Sequence, residues 1–115
     1  MVVDIFPAQK CYRLNGLGAT NNIIIGAFDT TSKQYLSHEY QKDMEIVALH
    51  GTINTMDNEY YAHIHIACGD MDNQVVGGHL NKAIVSATCE LVITVIDGIV
   101  DRRFDEKIGL NLFKF

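Results

Sequence analysis

Residues 60–80, YYAHIHIACGDMDNQVVGGHL, constrain the fold more than any other stretch. From Tyr61 to Ile66 the side chains alternate: Ala62, Ile64 and Ile66 fall on one side, Tyr61, His63 and His65 on the other. Period two marks a half-buried strand, on which same-face neighbours stand about 6.5–7 Å apart. Gly69-Asp70-Met71-Asp72-Asn73 is rich in turn formers and predicts a chain reversal. With the reversal centred on Met71, antiparallel pairing places His79 opposite His63, with Cβ atoms about 5 Å apart. Gly77 and Gly78 beside it are expected to leave room for something other than protein.

Two readings of these histidines stay open on the residues alone. Imidazoles on a polar strand face are often simply solvated, and a one-residue slip would send His79 to the other face. Converging, three neutral imidazoles can instead bind zinc or iron and leave a position open for water or a ligand.

The rest of the chain reads mainly as strands. Ile23–Phe28 is a buried strand; residues 29–33 form a polar turn, and residues 34–40 return from it. In residues 44–53, Val47, Leu49 and Ile53 predict one buried face and Met44, Ile46 and Ala48 a second, as if both were covered. His50 there reads as packed or hydrogen-bonded and not as a fourth ligand. Residues 83–96 alternate most clearly, and their length implies a bend or bulge. Glu90 on this strand is either solvated or an acid/base or supporting group near the histidines. Residues 101–107 read as a mixed-charge surface loop, and residues 110–115 as a last strand. MVVDIF could form a short strand, and Pro7 interrupts any early helix. Gly16-Leu17-Gly18-Ala19 is not a nucleotide loop, because a strand follows it and Asn21 stands at the third glycine position.

At 115 residues the chain is read as one domain. Its net charge of −5 argues against a broad phosphate-binding surface. No apolar run approaches the roughly 20 residues of a membrane span, so no membrane partner is expected. Cys11, Cys68 and Cys89 are odd in number and lack metal-ligand spacing; they read as reduced thiols of a cytoplasmic protein.

Leu49-His50-Gly51-Thr52-Ile53, His63-Ile64-His65, Gly77-Gly78-His79-Leu80 and Ala87-Thr88-Cys89-Glu90 together resemble the PPC domain, the plant and prokaryote conserved domain. Gly16-Leu17-Gly18-Ala19 and Glu45-Ile46-Val47-Ala48-Leu49 fit its earlier segments, and the resemblance covers about residues 12–115. It implies an α+β domain, predominantly antiparallel sheet with little helix, assembled as a homotrimer. Free-standing members are often labelled DNA-binding, and plant members follow AT-hook segments, of which this sequence has none. The family's opening strand and helix look shortened here, which would leave apolar sheet for a partner to cover. The fold is also similar to acetolactate decarboxylase, whose zinc is held by an HxH pair and a later histidine. Carried over, His63, His65 and His79 become the metal ligands, and Glu90 the matching glutamate.

Two functions follow. The favoured one is a trimeric module of the DNA-binding or regulatory type that binds zinc or iron. The alternative is a metal-dependent enzyme acting on a small keto or hydroxy acid, with Glu90 assisting proton transfer. That enzyme needs an anchor for its substrate, and Arg102 and Arg103 qualify only if the last segment folds over the histidines.

Overall fold

The computed structural model describes residues 10–115. There the alternating pattern becomes seven strands: β1 (Lys10–Asp29), β2 (Gln34–Tyr40), β3 (Met44–Met56), β4 (Glu59–Asp70), β5 (Val75–Asp97), β6 (Asp101–Asp105) and β7 (Leu110–Lys114). They form one sheet in the order β2-β1-β5-β4-β3-β6-β7. Every ladder is antiparallel except the parallel bridge between Thr55 of β3 and Asp101 of β6. The helical part of the expected α+β fold is absent among the described residues: the architecture is β throughout. The expected MVVDIF strand and Pro7 lie outside the described residues. Within them, no helix is long and apolar enough to cross a membrane.

β1 pairs with β5, β5 with β4, β4 with β3, and β3 again with β1. These four strands therefore close a ring of ladders. One face of the ring supplies the core: Tyr12, Leu14, Ile23 and Ile25 of β1, Met44, Ile46, Leu49 and Ile53 of β3, and Ile64, Ile66 and Cys68 of β4. Burying a side chain such as Ile64 contributes about 1.5–3 kcal/mol. Burial also pushes the Cys68 thiol up to about 11, so it packs as an inert apolar group.

The expected two-sided burial of residues 44–53 is corrected. Met44, Ile46, Leu49 and Ile53 are buried, whereas Val47 and Ala48 are exposed. The β3–β4 register shifts between Ile46 and Ala48. An extra residue there turns the inward set from even to odd numbers. One buried face interrupted by a bulge therefore looks, in sequence, like two.

The long β1–β5 ladder carries the expected irregularities, with shifts between Gly18 and Thr20, Thr20 and Asn22, and Ile24 and Ile25. Gly18 permits its closest approach: a Cβ there would stand 2.1 Å from the Thr88 carbonyl oxygen. Beyond the part that pairs with β4, β5 leaves much apolar surface open, including Leu91, Val92, Ile93, Val95 and Ile96.

Candidate metal centre

β4 turns Ile64, Ile66 and Cys68 into the core, so His63 and His65 must project from the opposite face. The third histidine arrives through the β4–β5 hairpin. Its register pairs His65 with His79, not His63 with His79 as the sequence suggested. The reversal centres one residue later, on Asp72, because Asn73 adopts a left-handed conformation (φ 62°) and extends the turn. The Asp70 carboxylate accepts from the Asp72 and Gln74 amides, at 2.9 and 3.0 Å, and fixes that shape. Moving the centre by one residue shifts the pairing by two, which preserves the face.

The three rings converge. Centroids lie 5.1 Å apart for His63 and His65, 5.3 Å for His63 and His79, and 5.6 Å for His65 and His79. One ligand nitrogen from each falls within 4.8 Å of the others. Two nitrogens on a tetrahedral zinc ion stand about 3.4 Å apart, so the rings must turn inward by more than an ångström between donors to hold one. Partial burial lowers the pKa of His63, helped by the charge of Arg102 and by the neighbouring imidazoles. Burial and then His65 lower that of His79. Both shifts favour the neutral form that ligates metals.

The glycines beside His79 do not make ligand space. A Cβ on Gly78 would lie 2.6 Å from the Gly26 carbonyl oxygen, and one on Gly77 3.0 Å from that of Ile66. They let three strands approach closely. Gly26, opposite His79, has a related task, since its missing Cβ makes way for the ring of Tyr35. Tyr35 meets His79 edge-on at 6.0 Å and donates a 2.6 Å hydrogen bond to Asn81 Oδ1. It thus holds an aromatic edge against the His79 ring.

His50 is exposed, pairs with His65 across β3–β4, and has its ring 6.3 Å away, outside the three-residue group. Glu90 is exposed on β5 opposite Leu17. It is not part of the group in which the ligand atoms of His63, His65 and His79 converge. Within one chain Glu90 is not brought to the histidines.

Arg102 is the functional candidate that sequence reasoning underrated. Residues 101–105 are strand β6, not a loop, and the β6–β7 hairpin folds Arg102 against the histidine face. Arg102 is 8 % exposed, whereas Arg103 is exposed. Its Nε donates to Asn54 Oδ1 (3.1 Å), Nη1 to the Asn111 carbonyl (2.9 Å) and Nη2 to Thr52 Oγ1 (3.4 Å). The guanidinium carbon also stands 4.8 Å from the Tyr61 ring centre and 4.3 Å from that of Phe113. A cavity of about 430 Å³ opens between Arg102, Phe113, His50, Thr52, His63 and His65. The available signal was the turn-forming Asp105-Glu106-Lys107-Ile108-Gly109 before a recognised last strand, which implies a strand on its other side.

Known structures share this architecture. A "putative DNA binding protein" from Bacteroides thetaiotaomicron is 30 % identical (TM-score 0.86), with the match covering 93 % of this chain and 75 % of that one. A metal-containing protein from Archaeoglobus fulgidus is also 30 % identical (TM-score 0.83; 93 % and 76 % covered). The plant- and prokaryote-conserved (PPC) protein of Pyrococcus horikoshii is 27 % identical (TM-score 0.83; 93 % and 74 % covered). Comparison with curated protein sequences gives no match. The family model for the Plants and Prokaryotes Conserved (PCC) domain matches residues 8–97. With its closed β ring and the histidines of its HxH and GGHL segments brought together on one face, the chain belongs to this Plants and Prokaryotes Conserved family, the PPC domain that its sequence resembles.

Proposed function

We propose that this chain is a homotrimeric module of the DNA-binding or regulatory type whose His63, His65 and His79 hold one transition-metal ion, zinc or iron. The observation that carries the metal reading is the convergence of three ligand nitrogens within 4.8 Å on rigid strands. The metal-containing relative from Archaeoglobus fulgidus supports it. Bound there, the ion supplies a Lewis-acidic centre with a coordination position left for an outside ligand. The decisive experiment is elemental analysis of protein purified without a nickel column. About one metal per chain is expected from a three-histidine site, and its loss when His63→Ala and His79→Ala are combined. Full retention in that folded double variant rejects the site.

Support for the trimer comes from β5, where Val92 is 68 % and Val95 58 % exposed. Exposed apolar strands of this kind mark association surfaces. Support for a DNA-related role comes from the description of the Bacteroides relative. The net charge of −5 indicates that any such association runs through a partner, not through this domain's own surface. Anisotropy titration of duplex DNA with the isolated chain is expected to show no binding at low salt. Binding that weakens as salt rises would overturn the partner-mediated reading.

A further inference from the structure

We propose that the cavity between Arg102 and the histidines binds a small carboxylate anion. Arg102 is its charged anchor, and the ion held by His63, His65 and His79 is its second contact. The second contact rests on the metal reading above; the first does not.

Arg102 is more than nine-tenths buried, and its hydrogen bonds go to neutral acceptors on Asn54, Asn111 and Thr52. Among the described residues it has no carboxylate in ion-pair range. A buried guanidinium without a counter-charge is costly, and an anion in the adjoining space offsets that cost. Those hydrogen bonds use three of the five N–H groups that a guanidinium carries. The Tyr61 and Phe113 rings hold it in place. An anion therefore meets a fork already ordered, with little entropy left to lose.

The cavity decides between kinds of anion. At about 430 Å³ it falls in the range of small-molecule sites, and Leu112 and Phe113 give it an apolar wall. A short carbon chain fits that wall, while its planar carboxylate matches the arginine fork. A nucleic-acid backbone needs several surface cations in a row, and the neighbouring Arg103 is not part of this cavity. His63 and His65 line the same cavity, so an oxygen at the other end of the anion reaches the metal position.

Succinate is the probe. Titrated into metal-free protein, it is expected to bind saturably by calorimetry and to move the Arg102 Nε–H resonance. The calorimetric binding should be lost in Arg102→Gln and Arg102→Lys, while Arg103→Gln keeps both the binding and the resonance shift. Calorimetry with zinc-loaded protein should give binding at least about tenfold tighter, equivalent to about 1.4 kcal/mol. An unmoved Arg102 resonance overturns the anchor, as does wild-type affinity in a folded Arg102→Gln variant. Zinc-loaded protein that binds succinate no more tightly than metal-free protein overturns the shared site. Failure to take up zinc at all is read separately by elemental analysis and overturns the metal contact, leaving the Arg102 anchor to stand or fall on the metal-free titration.

Discussion

His65 on β4 and His79 on β5 face each other directly across an antiparallel ladder. His63 lies one strand repeat away from His65 and slightly closer to His79 than His65 is, with ring centres at 5.3 Å against 5.6 Å. The hairpin thus presents a triangle of donors, whose sides are set by backbone spacing.

Because the triangle sits on the face opposite the core, stability and metal binding should separate by residue parity. Ile64→Ala is expected to cost about 2–5 kcal/mol in denaturant unfolding. His65→Ala in metal-free protein should change stability by no more than about 0.5 kcal/mol, because its side chain is exposed. It should nevertheless abolish the protection that zinc confers on the wild type.

Acid should weaken both the fold and its metal affinity. His63 and His79 have folded pKa values below the ordinary imidazole value of 6.5. As pH falls below 6.5 the unfolded chain takes up protons at these positions before the folded one does. Their contribution is therefore complete above 6.5 and is lost as pH drops through the depressed folded values. Melting of metal-free protein at pH 7.5 and pH 5 should show the lower midpoint in acid, with a smaller difference in His63→Gln/His79→Gln. Zinc affinity should fall in the same direction, because protons compete for the ligand nitrogens.

The aromatic edge against His79 gives a third expectation. In Gly26→Ala the new Cβ would fall 2.2 Å from the Tyr35 ring, so the ring must leave its place. Because Tyr35 is 43 % exposed and its ring tip can swing outward, a destabilisation of no more than about 1 kcal/mol is expected. Zinc affinity measured by chelator competition should drop about tenfold, as when other supporting groups around a metal are lost. Tyr35→Phe, which removes only the hydrogen bond to Asn81, should lose less.

Assembly can be tested without touching the site. Val92→Asp combined with Val95→Asp alters two open positions on β5. Sedimentation should give a trimer for the wild type and a folded monomer for the variant, with unchanged circular dichroism. A wild-type monomer at all concentrations refutes the trimer.

The legibility of this chain follows from the range of its interactions. The His63-Ile64-His65 alternation and the Gly77-Gly78-His79-Leu80 segment were readable because period two assigns faces locally. The pairing partner of His79 was misread by two residues, because the left-handed Asn73 lengthened a turn whose composition gave only its location. Val47 was misplaced for a similar reason: a bulge depends on the partner strand, and nothing in MEIVALHGTI marks it. Arg102 was hidden more deeply still. Its burial depends on Thr52, Asn54 and Tyr61 from strands far earlier in the chain, and a charged run gives no local hint of them.

The ring of ladders has a consequence for how this chain comes into being. β1 is the first of these strands to leave the ribosome, yet its Lys10 pairs with Asp97 and its Cys11 with Ile96. Its other neighbour in the ring, β3, also comes later, and only the Ile23–Asp29 end finds its partner, β2, at once. The opening strand must therefore wait, unsatisfied along much of its length, until most of the polypeptide has been made. Non-local topologies of this kind fold slowly and leave pairing edges open to the wrong partners meanwhile. The β4–β5 hairpin needs only its own neighbours, so the histidine triangle can take shape well before the ring around it closes.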